Sequence, residues 1–201
     1  MSFLNLIMTD DFISIISDGQ ITTDGVITKS HFKKFEISKN SFVVGITGFE
    51  LITNQIRKKF YYQPEMTFDE AKLLLIEELE HYKTKQLRFG QSITFNAIIA
   101  GFSNNPLTDL SVAQATTFHI ENQTISEKNY EKSAILSLTP DDITFNPNRI
   151  ISENISRFPK DSLLLHLQTL QRNALYKVAE QSKTVNKIVF QETIFPKNKK
   201  D

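Results

Sequence analysis

The chain has 201 residues, of which 40% are hydrophobic and 23% charged, ordinary values for a globular domain. Lys plus Arg and Asp plus Glu balance at 23 each, so the electrostatic footprint of a nucleic-acid or membrane-surface binder is missing. There is no cysteine, which excludes disulfides, thiol nucleophiles and thiolate metal sites and fits a cytoplasmic location. The N-terminus lacks a basic stretch followed by a long apolar run, so neither a signal peptide nor a membrane span is expected. One domain over residues 1–195 is the simplest organisation, followed by a basic, disordered tail at 196–201.

Residues 3–8 and 12–17 are short apolar stretches joined by Thr9-Asp10-Asp11 and read as the arms of a hairpin. A loop follows, then strand candidates at 32–38 and 42–47 on either side of Lys39-Asn40-Ser41. The second of these is nearly continuous in apolar character, as expected of a strand covered on both faces. The period then changes: Leu51, Ile52, Ile56 and Phe60 recur at helical spacing from Phe49 to Tyr61, ahead of Pro64. Thr67-Phe-Asp-Glu70 is a capping-box sequence and predicts a helix over 68–86.

Strands resume at 92–102, 110–120 and 132–138, the last two joined by a turn near Asn122. Pro140 and Pro147 leave room for one short helix in 139–158. A long helix over 159–181 carries the stripe Leu163, Leu164, Leu167, Leu170, Ala174, Leu175 and Val178, and a strand at 187–194 closes the chain. Two blocks of antiparallel strands, each followed by helices, cannot form a doubly wound parallel sheet. The order predicts an α+β domain, a four-layer αββα sandwich of two antiparallel sheets, with the four strands of the first 48 residues on one side.

Four of the six glycines, Gly19, Gly25, Gly45 and Gly48, fall in those 48 residues, together with Ser2, Asp18 and Lys34. Taken singly, each polar residue has a plain reading. Asp18 before Gly19 suits a turn. Lys33-Lys34 can be a solvated pair, although strand alternation turns one of the two inward. Gly45 and Gly48 can serve packing at a strand–helix junction.

Taken together, Asp18-Gly-Gln20, Lys34, and Gly45-Ile-Thr-Gly48 ahead of a helix resemble the proteasome β-type family, and most of all its heat-shock peptidases that partner an unfoldase ATPase. In that family a terminal Thr, an Asp and a Lys sit at successive intervals of sixteen residues. Ser2 to Asp18 and Asp18 to Lys34 are each sixteen here. The resemblance implies the N-terminal nucleophile (Ntn) hydrolase architecture and amide or peptide hydrolysis. One residue does two jobs in such enzymes: its hydroxyl attacks the carbonyl and its α-amine takes the proton. An α-amine titrates near about 7.7–8.0, close to an ideal neutral-pH base, and a neighbouring ammonium lowers that value further.

By resemblance, Ser2 is nucleophile and base once Met1 is removed, Lys34 the electrostatic tuner, Asp18 its anchor, and the Gly48 N–H the oxyanion donor. Ser137 stands where a supporting hydroxyl is expected. Ser2 replaces the family's Thr, and Leu136-Ser137-Leu138-Thr139-Pro140 has no glycine where the family has a Gly-Ser-Gly-type loop. The family's second aspartate has no match near Thr184–Lys187. The resemblance also implies a homo-oligomer, a peptide or small-amide substrate and an unfoldase ATPase partner. The competing expectation is a noncatalytic subunit that keeps the fold as a structural or binding module. His31, His81, His119 and His166 lack ligand spacing, so no metal and no cofactor is expected.

Overall fold

The structure is a computed structural model that describes residues 2–23, 25–38, 42–61, 65–83, 94–104, 111–155, 159 and 162–196. Six strands open the chain: β1 (Leu4–Met8), β2 (Ile13–Asp18), β3 (Ile21–Thr23), β4 (Val26–Lys29), β5 (Phe35–Ser38) and β6 (Phe42–Gly48). Helices α1 (Glu50–Tyr61) and α2 (Phe68–Lys83) follow, then β7 (Phe95–Asn104), β8 (Ser111–Glu121), β9 (Thr124–Glu131) and β10 (Ala134–Leu138). The chain ends in α3 (Pro147–Ser152), α4 (Leu163–Gln181) and β11 (Val189–Ile194).

Strand pairing gives one sheet in the order β10-β1-β2-β11 and another in the order β5-β6-β7-β8-β9, all antiparallel, with β3-β4 as a separate ribbon. Alternation along the strands assigns each side chain to a layer. On β6, Phe42, Val44 and Ile46 pack under α1 and α2, whereas Val43 turns to the other sheet. On β1, Leu4, Leu6 and Met8 fill the space between the sheets, whereas Phe3 and Ile7 face α3 and α4. Three successive cores therefore separate four layers, the αββα sandwich that the sequence predicts.

Local chemistry explains the boundaries. The Thr9 hydroxyl accepts the Phe12 N–H at 3.1 Å and closes the β1–β2 turn. The capping box forms as expected: Glu70 Oε2 accepts the Thr67 N–H at 2.8 Å and Thr67 Oγ1 accepts the Glu70 N–H at 3.3 Å. Asn146 caps α3, with Pro147 in its first turn, where a missing N–H costs nothing.

Three features differ from the sequence reading. The four strands expected on one side are divided, β1 and β2 in one sheet and β5 and β6 in the other, because the β3–β4 ribbon around Gly25 carries the chain across. That ribbon was expected as a loop; β4 is exposed throughout and has no buried face to give it an alternating pattern. An additional strand, β9, lies between the expected strands at 110–120 and 132–138. It follows a tight turn with positive φ at Asn122 and Gln123, and its charged sequence reflects an exposed sheet edge. The turn at 39–41, the helix end at 84–86, the strand start at 92–93 and residues 197–201 of the expected tail lie outside the described residues.

Gly45 lets the two sheets meet. A Cβ there would fall 2.3 Å from Leu4 Cδ1, which β1 presents to the inter-sheet core. Gly45→Ala is expected to destabilise the fold by about 1–3 kcal/mol in urea denaturation, the usual cost of overpacking. Leu4→Ala in the same chain should make the double variant less destabilised than the sum of the single ones.

Candidate functional site

Asp18 ends β2 and Lys34 immediately precedes β5, so the two belong to opposite sheets. Both are buried, with side chains 0% and 4% exposed, and Lys34 Nζ donates to Asp18 Oδ1 at 2.5 Å. The same Oδ1 accepts the Phe3 N–H at 2.9 Å, and Oδ2 accepts the Gln20 N–H at 2.8 Å. The Phe3 N–H belongs to the peptide that links Ser2 to Phe3. One carboxylate therefore fixes the first described peptide of the chain and a buried ammonium at the same point.

Lys34 is held from several directions. Its N–H donates to Ser17 Oγ at 3.4 Å and its carbonyl accepts the Ile46 N–H at 3.2 Å. On α1, Arg57 donates to Glu36 and to the Lys33 carbonyl and lies 4.7 Å over the Phe32 ring, pinning the segment that carries Lys34. Lys33 points outward to Glu192 at 2.9 Å, so alternation does turn one lysine of the pair inward. Burial pushes the Lys34 ammonium below a lysine's ordinary value; the charge of Asp18 and its hydrogen bond oppose this, and the charge of Arg57 adds to it.

Gly48 closes β6 with φ at +139°, and a Cβ there would fall 2.4 Å from Phe95 Cβ. Both facts require glycine. The contacts Gly45–Leu4 and Ile46–Lys34–Asp18–Phe3 run in step, so Gly48 and Ser2 continue toward the same end of the sandwich. Ser2 is half-buried and Gly48 exposed at that end.

Ser137 is not brought into this group. It pairs with Asn5 in the β1–β10 ladder, donates to Asn148 Oδ1 at 2.7 Å and accepts from Asn5 Nδ2 at 3.0 Å. Alternation places Asn5 on the opposite face of β1 from Leu4, and from the position of Ser2. The ladder ends at Leu4↔Leu138, and Thr139 and Pro140 continue beyond it without a glycine.

Several supporting residues escaped the sequence reading. Asn186 Oδ1 accepts the Gly19 N–H at 3.0 Å and its amide donates to the Ser30 carbonyl at 3.0 Å, holding the turn after Asp18. The Gln20 amide donates to the Lys183 carbonyl at 2.6 Å. Gln171 of α4 is fully buried and bonded to Asn5 and Ser14, tying β1 and β2 to the helix above them. Only Gln171 left a legible trace, a polar residue on an otherwise apolar helical stripe. Among the described residues no group of His, Asp and Glu could hold a metal ion, and no helix is long and apolar enough to cross a membrane.

No family model matches the chain, and no curated protein matches it by sequence. By structure it is similar to the crystal structure of eukaryotic HslV from Trypanosoma brucei, with a TM-score of 0.61 over 96% of this chain and 99% of that one, at 13% identity. The chain thus has the proteasome β-type fold of the Ntn hydrolases, as the resemblance implies. A likeness at 13% identity shows the fold and does not select an activity.

A buried charge that loses its partner costs about 3–5 kcal/mol. Lys34→Met and Asp18→Asn are each expected to lower stability strongly in chemical denaturation. The Asp18→Asn/Lys34→Met double variant should be less destabilised than the sum of the two; additive losses would show that the charges are not coupled.

Proposed function

We propose that the chain is an Ntn-type hydrolase of peptide or small amide bonds, with Ser2 as nucleophile and, after Met1 is removed, its own α-amine as base. The observation that carries this reading is the buried Asp18 carboxylate shared between the Ser2–Phe3 peptide and Lys34. In the proposed step the amine takes the hydroxyl proton as Oγ attacks the carbonyl carbon. The amine then returns the proton to the departing nitrogen, leaving an ester on Ser2. Water, activated by the same amine, hydrolyses that ester and restores the hydroxyl. The Lys34 charge keeps the amine deprotonated near neutral pH, and Asp18 keeps that charge in place. The Gly48 N–H receives the developing oxyanion, a contribution of about 3–4 kcal/mol where such donors have been removed elsewhere.

The proposal extends to what the resemblance implies: an oligomer built from copies of this chain, acting on peptides in the cytoplasm with an unfoldase ATPase as partner. A second reading, a noncatalytic subunit that binds or builds, is favoured by the glycine-free stretch Leu136–Pro140, where the resemblance implies a Gly-Ser-Gly-type loop.

Protein shown by intact mass to lack Met1 is expected to turn over members of a peptide and amide panel, and Ser2→Ala to fall to the uncatalysed rate. Turnover no faster than that of Ser2→Ala would leave the noncatalytic reading. The pH profile is a further check. The rate should rise as the Ser2 amine loses its proton, below an α-amine's ordinary range while Lys34 keeps its charge. Lys34→Met removes that charge and should shift this limb upward.

A further inference from the structure

The inter-sheet face of the five-stranded sheet is apolar at depth, with Val43, Ala100 and Ala115 in line, but its outermost row is polar. The register places Thr47, Asn96, His119 and Ser126 side by side across β6, β7, β8 and β9. The row begins next to Gly48 and ends in a cavity of about 660 Å³ between β8, β9 and the edge strand β10.

The cavity wall is rich in donors. His119 Nδ1 lies 2.6 Å from Asn96 Oδ1, which fixes the ring, and its Nε2 lies 3.4 Å from Glu121 Oε2. Lys128, beside Thr117 in the ladder, stands 5.2 Å over the Tyr130 ring, with no carboxylate partner among the described residues. The carboxylate in the lining, that of Glu127, is engaged by Lys72 of α2 at 3.0 Å.

We infer that this cavity is a carboxylate-binding subsite, in which Lys128, with Thr117, receives an acidic side chain or the terminal carboxylate of a bound peptide. The row spans three strand spacings, roughly 14 Å from Gly48, so the charge it reads lies about four residues of extended peptide from the reacting bond. The inference rests on the proposed Ser2 site. Its test uses binding rather than turnover, so that the two can fail separately.

The full chain carrying Ser2→Ala, labelled with ¹⁵N, is titrated with acetyl-Ala-Ala-Glu-Ala-amide, its Gln counterpart, and acetyl-tetra-alanine with a free carboxylate. One of the carboxylate peptides should bind about fivefold tighter than the Gln peptide, as expected of a half-exposed charge pair. It should shift the amides of Thr117, His119, Ser126 and Lys128. The identity of the tighter peptide assigns the source as side chain or terminus. Lys128→Met should abolish the preference, whereas Lys58→Met on α1 should keep it. Equal binding of all three peptides, shifts confined to other surfaces, or a preference that survives Lys128→Met would overturn the assignment.

Discussion

Lys34 and Asp18 give up water to face one another between two sheets, and the position of the N-terminus follows from how that loss is offset. A buried ion pair is a weak source of net stability, because desolvation cancels most of the attraction. It is a strong source of position once each remaining lone pair is satisfied. Asp18 meets that condition through three donors, Phe3 N–H, Gln20 N–H and Lys34 Nζ. Moving the first strand would take the Phe3 N–H away from a buried carboxylate. The pair therefore sets where β1 begins relative to β5 and β6.

The surrounding fold keeps that geometry by close approach at glycines and by polar clamps at strand ends. Gly45 gives Leu4 room to enter the inter-sheet core, and Gly48 allows β6 to leave the sheet with a backbone that other residues rarely adopt. Arg57 and Asn186, from α1 and from the turn before β11, hold the two loops that present Lys34 and Asp18. Residues distant in sequence thus converge on a pair of charges fixed by local turns.

The layers were legible because burial on both faces leaves apolar runs, as at Phe42–Ile46, and burial on one leaves a helical stripe, as at Leu167–Val178. The β3–β4 ribbon and β9 were not, since an exposed strand has no buried face to impose a pattern. The sheet that each early strand joins was also hidden: periodicity reports how a strand is covered and is silent on its neighbours. At the site, Asp18 and Lys34 were picked out by resemblance, through the sixteen-residue intervals of the proteasome β-type family. Ser137 was misplaced because one residue of strand parity reverses the face, and an offset in the sequence cannot show that. Asn186 bonds to the backbone at Gly19 and Ser30, and Arg57 to Glu36 and the Lys33 carbonyl, contacts between distant residues that leave no pattern in the sequence.

Covalent capture distinguishes a Ser2 hydroxyl activated by its own amine from an inert N-terminus. Protein purified from cells and treated with a β-lactone or epoxyketone probe should gain one adduct, mapped by peptide mass spectrometry to Ser2, and only in chains that have lost Met1. Adducts absent from Met1-free chains, or equally abundant in chains that retain Met1, would contradict the account.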